Sequence, residues 1–163
     1  MDLLFLRGAN MSNTNTVQKK ASVCIIMNGC QLLVLKRSDG CSYPNKWCLP
    51  GGRAEDRETA VETMFREVEE ETGIVLSSTT FLTNFKNPRL DLTIFFSKTD
   101  SLDVVIQESE SADYAWIDMA TYEGGVDLPP ITENILLEIS DHWKRNGAIN
   151  LEQLKQEVRE GGL

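Results

Sequence analysis

The sequence predicts an α+β fold, a mixed β-sheet packed between helices, and three observations carry that reading. Apolar, β-branched runs flank stretches of helical periodicity without the regular strand–helix–strand rhythm of a wound parallel sheet. The chain has 163 residues, enough for one domain with a proper core. Its 41% hydrophobic and 25% charged residues are ordinary for a globular protein.

Residues 1–19, opening MDLLFLRGAN, read as a flexible N-terminal tail. They are weakly apolar but lack the basic leader, long apolar region and cleavage site of a signal peptide. Met11 offers an alternative start, and SNTNT after it is a polar linker. One domain is expected over residues 20–148, followed by a short C-terminal helical extension over 149–163. Residues 20–27 (KASVCIIM) and 31–36 (QLLVLK) read as strands, with the hairpin signal Asn28-Gly29 near their junction. SDGCSYPNKW follows as a loop. LPGGRAEDRE then leads into a helix whose apolar stripe is Val61, Phe65, Val68 and Thr72, joined by Met64. Gly73, free to turn left-handed, ends it.

Further strands are expected at 79–85 and 90–97, with weaker ones near 102–107 and 113–117. Pro129-Pro130 opens a second helix with Ile131, Ile135, Ile139 and Trp143 at four-residue steps. His142 reads as an ordinary surface or capping residue near that helix's C-terminus. A last helix begins at Asn150, with Gln153 as its capping-box partner.

A net charge of −9 and a pI near 4.6 argue against an extended nucleic-acid-binding face. A small phosphorylated ligand stays compatible, because bound cations reverse the local sign. No apolar run approaches a membrane span. Cys24, Cys30, Cys41 and Cys48 form no CxxC pair, and the single histidine, His142, completes no zinc set. Reduced thiols and no secretion leader together give a cytoplasmic expectation.

The most informative stretch is REVEEETG, residues 66–73. Successive helical residues turn by about 100°, so Glu67, Glu70 and Glu71 crowd one face while Glu69 points elsewhere. Such carboxylates repel and raise one another's pKa unless a counter-ion intervenes. Mg²⁺ suits them, because it takes oxygen ligands and is usually shared between a few carboxylates and substrate phosphates. A solvated acidic face is the commoner outcome for a Glu-rich helix. The flanking residues overturn it: Gly52, then Glu58, then Arg66-Glu67, Glu70-Glu71 and Gly73 recur at fixed spacing. That spacing matches the Nudix box at every specified position, a coincidence of roughly one in ten million at average residue usage.

The chain therefore resembles Nudix hydrolases of the smaller, MutT-like kind, with looser similarity over residues 20–145. The resemblance implies an α/β/α sandwich and hydrolysis of a nucleoside diphosphate linked to another group, with Mg²⁺ (Mn²⁺ as a possible substitute). It implies Glu67, Glu70, Glu71 and the Gly51 carbonyl as metal ligands, Gly52 and Gly73 as structural, and a Glu58–Arg66 pair orienting the carboxylates. Glu67 or Glu70 is the general-base candidate within the box. Outside it Glu110, six residues before Trp116, is the candidate, with Glu108 second. Arg37 is either a phosphate contact or an exposed strand-end residue. Trp47 either lines the nucleotide pocket or packs beneath the loop. Thr132 stands where some oxidised-guanine sanitising members carry a base-reading Asn, and Asn134 follows. Thr63-Met64 departs from the small alanines usual in the box.

The first substrate class implied is a (deoxy)nucleoside triphosphate cut to monophosphate and pyrophosphate. ADP-ribose or another dinucleotide-like diphosphate is the alternative, suggested by NPR at 87–89, although Pro88 sits two residues short of the usual proline. A reading of another class, a nucleotide-binding regulator without catalysis, is disfavoured because every box glutamate is kept. RNA decapping conflicts with the acidic composition. A homodimer is compatible with the family; no membrane partner is expected.

Overall fold

The computed structural model describes residues 17–161. The tail expected over residues 1–19 falls mostly on residues 1–16, which lie outside the described residues, as do residues 162–163. Lys19 already belongs to the first strand.

The elements in order are β1 (Lys19–Asn28), β2 (Gln31–Arg37), β3 (Trp47–Cys48), β4 (Gly51–Arg53), α1 (Ala60–Thr72), β5 (Thr80–Lys86), β6 (Leu90–Lys98), β7 (Ser111–Asp118), α2 (Pro130–Asn146) and α3 (Leu151–Glu160). They build one mixed sheet. β1 lies parallel to β6, from Lys19↔Leu90 to Met27↔Lys98, and β5 lies antiparallel to β6. β7 runs antiparallel along β2.

The β1–β2 hairpin turns on Gly29 and Cys30, because Asn28↔Gln31 is the last pair before the bend. Gly29 has φ 56, which a glycine adopts without steric cost at the first central position of such a turn. Only two pairs, Met27↔Leu32 and Asn28↔Gln31, join β1 to β2. Beyond them the sheet forks. β4 takes the edge of β1 at Ala21, Ser22 and Val23, while β3 takes the edge of β2 at Leu35 and Lys36.

Strand alternation sorts the core into two layers. Val23, Ile25 and Met27 of β1 face α2 and α3, joining Ile135, Leu136, Ile139, Leu154 and Val158. Cys24 and Ile26 face the other way, onto Met64 and Val68 of α1. The sheet is thus covered on both sides, as expected for an α+β sandwich, and its central strand is apolar on both faces.

Several expectations need correction. Residues 102–107 form no strand. Val104 and Ile106 pack inward on the α1 side, but the Val105 N–H donates to the Thr72 carbonyl at the end of α1 instead of to a ladder. In α1 the buried face is Thr63, Met64, Val68, Glu71 and Thr72, so Val61 lies outside it and Phe65 at its border. His142 is fully buried. Its Nε2 accepts from the Asn150 N–H at 3.0 Å, and its Nδ1 lies 2.8 Å from Glu157 Oε2. One bond therefore needs a bare nitrogen and the other a protonated one, which fixes the tautomer. The capping box of α3 is consequently half made. Asn150 Oδ1 accepts from the Gln153 N–H, but His142 has already taken the Asn150 N–H that Gln153 would have satisfied. All four cysteines are free thiols, and no helix among the described residues is long and apolar enough to cross a membrane.

Candidate active site

The fork between β1 and β2 opens into a cleft of about 400 Å³ at the end of the sheet away from the hairpin. Its walls include Arg37 from β2, Gly51, Gly52 and Arg53 from β4, Glu67 and Glu71 from α1, and Glu110 from the turn before β7.

Helix α1 is held firmly against this cleft. Its start is fixed by a complete capping box: Thr59 Oγ1 accepts from the Glu62 N–H, and the Glu62 carboxylate accepts from the Thr59 N–H. Its end is fixed by Gly73 at φ 70, whose N–H donates to the Glu69 carbonyl. Between these caps, Glu67 and Glu71 lie on the same face, one turn apart.

The two glycines of β4 are contact surfaces. A Cβ on Gly51 would lie 2.1 Å from the Ser22 carbonyl oxygen, and φ 152 there already favours glycine. A Cβ on Gly52 would lie 2.4 Å from the Glu67 carboxyl carbon. The carboxylate of Glu67 therefore rests directly on bare backbone. Gly51 also meets the site through its N–H, which donates to Glu71 Oε2 at 3.3 Å.

Arg66 ties the acidic residues together. Its Nε and Nη2 grip both oxygens of Glu58, at 2.7 and 3.0 Å. Nη2 also donates to the Arg53 carbonyl at 3.0 Å, and Nη1 reaches Glu67 Oε1 at 2.9 Å and Glu70 Oε2 at 3.3 Å. The guanidinium and the Thr63 hydroxyl hold Glu58 down to a pKa of about 2.

Glu71 is in the opposite condition. It is 2% exposed, and burial, the charge of Glu67 and the charge of Glu110 push it well above the usual carboxylate range; the Gly51 N–H opposes them. Burial also raises Glu67, with Glu70 and Glu110 adding to it and Arg66 working against it. The neighbouring Cys48 thiol is pushed up to about 12 by burial and by Glu71.

A divalent cation fits this donor set. The cleft holds a buried carboxylate without a cationic partner among the described residues, beside a second one only partly neutralised by Arg66. Hard oxygen donors carrying excess negative charge are what Mg²⁺ or Mn²⁺ bind. Three acidic, cysteine or histidine side chains do not yet converge on one point among the described residues, with Glu70 engaged by Arg66.

Glu110 lines the wall opposite α1, whereas Glu108 does not. The turn bearing it is stitched to the residues after β2: the Ser38 N–H donates to the Glu110 carbonyl, and the Ser38 hydroxyl to the Ser109 carbonyl. Arg37 is buried at the cleft and not an exposed strand end; its Nε donates to the Ser42 carbonyl at 2.5 Å. Trp47, Thr132 and Asn134 are not brought to the cleft. Alternation along β3 turns Cys48 into it and Trp47 away, onto the α2 face, where Lys36 Nζ lies 5.9 Å from the ring centroid. Thr132 is buried in the first turn of α2 and Asn134 is exposed on it. Arg53, Ser42 and Ser111 line the cleft without having been singled out in the sequence. Only Arg53, placed directly after Gly51-Gly52, carried a legible signal.

The NUDIX domain profile matches residues 18–135. A Bacillus subtilis (strain 168) protein provisionally named an 8-oxo-dGTP diphosphatase is 29% identical over 99 residues, covering 60% of this chain. The chain spans 64% of that relative's length. The crystal structure of a MutT protein from Methanosarcina mazei Go1 superposes with a TM-score of 0.66 at 24% identity, covering 83% of this chain and 99% of that one. A MutT NUDIX hydrolase from Burkholderia pseudomallei gives 0.62 at 19% identity, covering 75% and 97%. At these identities the superpositions bear on the fold.

Proposed function

Because the chain belongs to the Nudix family, we propose that it is a pyrophosphohydrolase that cuts a nucleoside triphosphate to the monophosphate and pyrophosphate. One observation carries this reading: buried, under-neutralised Glu71 and half-buried Glu67 lie in a cleft, braced by Glu58 and Arg66. Members of the family use divalent metals such as Mg²⁺. Here Glu67, Glu70 and Glu71 would hold the ion, Glu70 being released from Arg66. When bound, the ion supplies positive charge for the phosphate oxygens and lowers the pKa of water.

The chain's own residues do the rest. Phosphoryl transfer asks a protein mainly for positioning and charge stabilisation. Arg66 fixes the direction of Glu67, and Gly52 gives that carboxylate room. Arg37 and Arg53 supply positive charge along a phosphate path in an otherwise acidic cleft. Glu110, which lines the same cleft, would accept the proton of attacking water. The B. subtilis relative makes 8-oxo-dGTP the first substrate to try.

The test is a panel of nucleotides, 8-oxo-dGTP included, incubated with Mg²⁺ or Mn²⁺ and resolved by chromatography. Monophosphate plus pyrophosphate is expected, and Glu70→Gln should abolish it. Release of AMP and ribose phosphate from ADP-ribose would move the substrate class to dinucleotide-like diphosphates. Turnover of nothing on the panel would overturn the proposal.

A further inference from the structure

Resting on that reading, we propose that Thr63 is a positioning residue of this chain: its hydroxyl locks Glu58 and, through it, Arg66 and the cleft carboxylates. Thr63 is fully buried on α1, facing the loop that carries Glu58. Its Oγ1 lies 2.6 Å from Glu58 Oε1 and 2.9 Å from the Thr59 carbonyl. A hydroxyl has one proton, and the shorter contact to a charged acceptor takes the larger share of it. Glu58 thereby has two attachments to α1: the guanidinium of Arg66, and a hydroxyl one turn nearer the start of the helix. Arg66 is bound to Glu58 through Nε and Nη2, which leaves Nη1 to set the direction of Glu67 and Glu70. Any play in Glu58 passes along this chain of bonds into the cleft.

A neighbouring feature explains why this chain uses a second attachment. Arg57, immediately before Glu58, has φ 64, a left-handed backbone conformation that a non-glycine residue adopts only under strain. Such a conformation persists when its surroundings over-determine it. Of the two side chains gripping Glu58, Thr63 is the one that needs no ionic partner and touches none of the cleft carboxylates. The hydroxyl thus offsets the tendency of the 57–58 backbone to relax, a task an alanine could not perform.

The test compares Thr63→Val, which keeps the shape and removes the hydroxyl, with Thr63→Ser, which keeps the hydroxyl. Calorimetry with Mn²⁺ alone and steady-state kinetics are both read, after thermal unfolding confirms that each variant is folded. Thr63→Val should weaken Mn²⁺ binding and lower kcat, each by about 3- to 10-fold, with little change in nucleotide KM, as expected for a small misplacement of positioned groups. Thr63→Ser should behave as wild type. Arg57→Gly, by removing the strain, should return most of the loss in the Thr63→Val background. Wild-type-like behaviour of Thr63→Val, or equal losses in Thr63→Ser, would overturn the inference. If the wild-type protein takes up no Mn²⁺ and turns over no nucleotide, the proposed function falls. The inference is then read from a Thr63→Val and Glu58→Gln cycle on metal-free unfolding, where non-additive losses support it and additive ones refute it.

Discussion

Two carboxylates on opposite sides of the sheet, Glu157 and Glu71, differ in how fully their neighbours satisfy their charge. Glu157 joins α3 to α2. It meets His142 Nδ1 at 2.8 Å, Arg145 Nη1 at 3.1 Å and Gln153 Nε2 at 3.0 Å. Burial works to raise it, but His142 and Arg145 prevail and hold it below the ordinary range. Glu71 has one backbone N–H at 3.3 Å and two neighbouring carboxylates, and stands well above that range. The first network is complete and adds cohesion. Among the described residues the second is left short of positive charge, the condition that a bound cation would relieve.

The sharpest way to break this contrast is to neutralise the incomplete side. Glu67→Gln should lower kcat by about 10²- to 10⁴-fold, in the range of a lost catalytic or ligand group, while thermal unfolding without metal shifts upward because like charges no longer crowd. Loss of fold in place of loss of turnover would show the cluster to be structural. Gly52→Ala comes next. Its methyl would lie 2.4 Å from the Glu67 carboxyl carbon, and a displacement on the order of 1 Å at a catalytic group costs about 10²-fold. Steady-state kinetics with circular dichroism separates this from unfolding.

Breaking the complete side should do the reverse. His142→Ala strands the Asn150 N–H and one oxygen of Glu157, so urea denaturation should show a loss of about 2–4 kcal/mol with kcat changed less than about twofold. The smallest effect is in pH. Glu67 and Glu71 are raised in the fold, so the stability they allow is fully present below the ordinary carboxylate value and is lost as pH rises through their shifted values. Glu58 and Glu157 are lowered, so their contribution is present above that value; that of Glu58 disappears as pH falls through about 2. Metal-free protein should therefore gain about 2–4 °C in Tm between pH 7 and 5, then lose it under stronger acid. Glu71→Gln should flatten the gain.

Much of the contrast was legible in one stretch of sequence and hidden in the other. The α1 side was readable because the glycines, Glu58, Arg66 and the clustered glutamates interact at short, fixed separations that one loop and one helix impose. The α2–α3 side was not, because nothing near His142 in sequence reveals that Asn150 and Glu157 fold back onto it. Val61 shares the angular position of Val68 and Thr72 within about 20° but stands in the first turn of α1, where it stays exposed, and the buried stripe here begins at Thr63 and Met64. Residues 102–107 alternate like a strand, yet one of their N–H groups turns to the end of α1. Trp47, expected at the end of the loop after β2, instead opens β3, and only its pairing with Lys36 decides which face it meets.

The fork between β1 and β2 has a consequence for how such a pocket can change. Its floor is a seam in a hydrogen-bonded ladder, and β3 and β4 are the wedge that keeps the seam apart. A ladder shifts only in whole residues, and a one-residue slip reverses every side chain on the strand. The spacing between β4 and α1 is therefore insulated from gradual drift. Adaptation to a differently shaped ligand falls to the segments at the rim, such as Gly40 to Ser42 and the Glu110 turn, whose outline can vary without unzipping a strand.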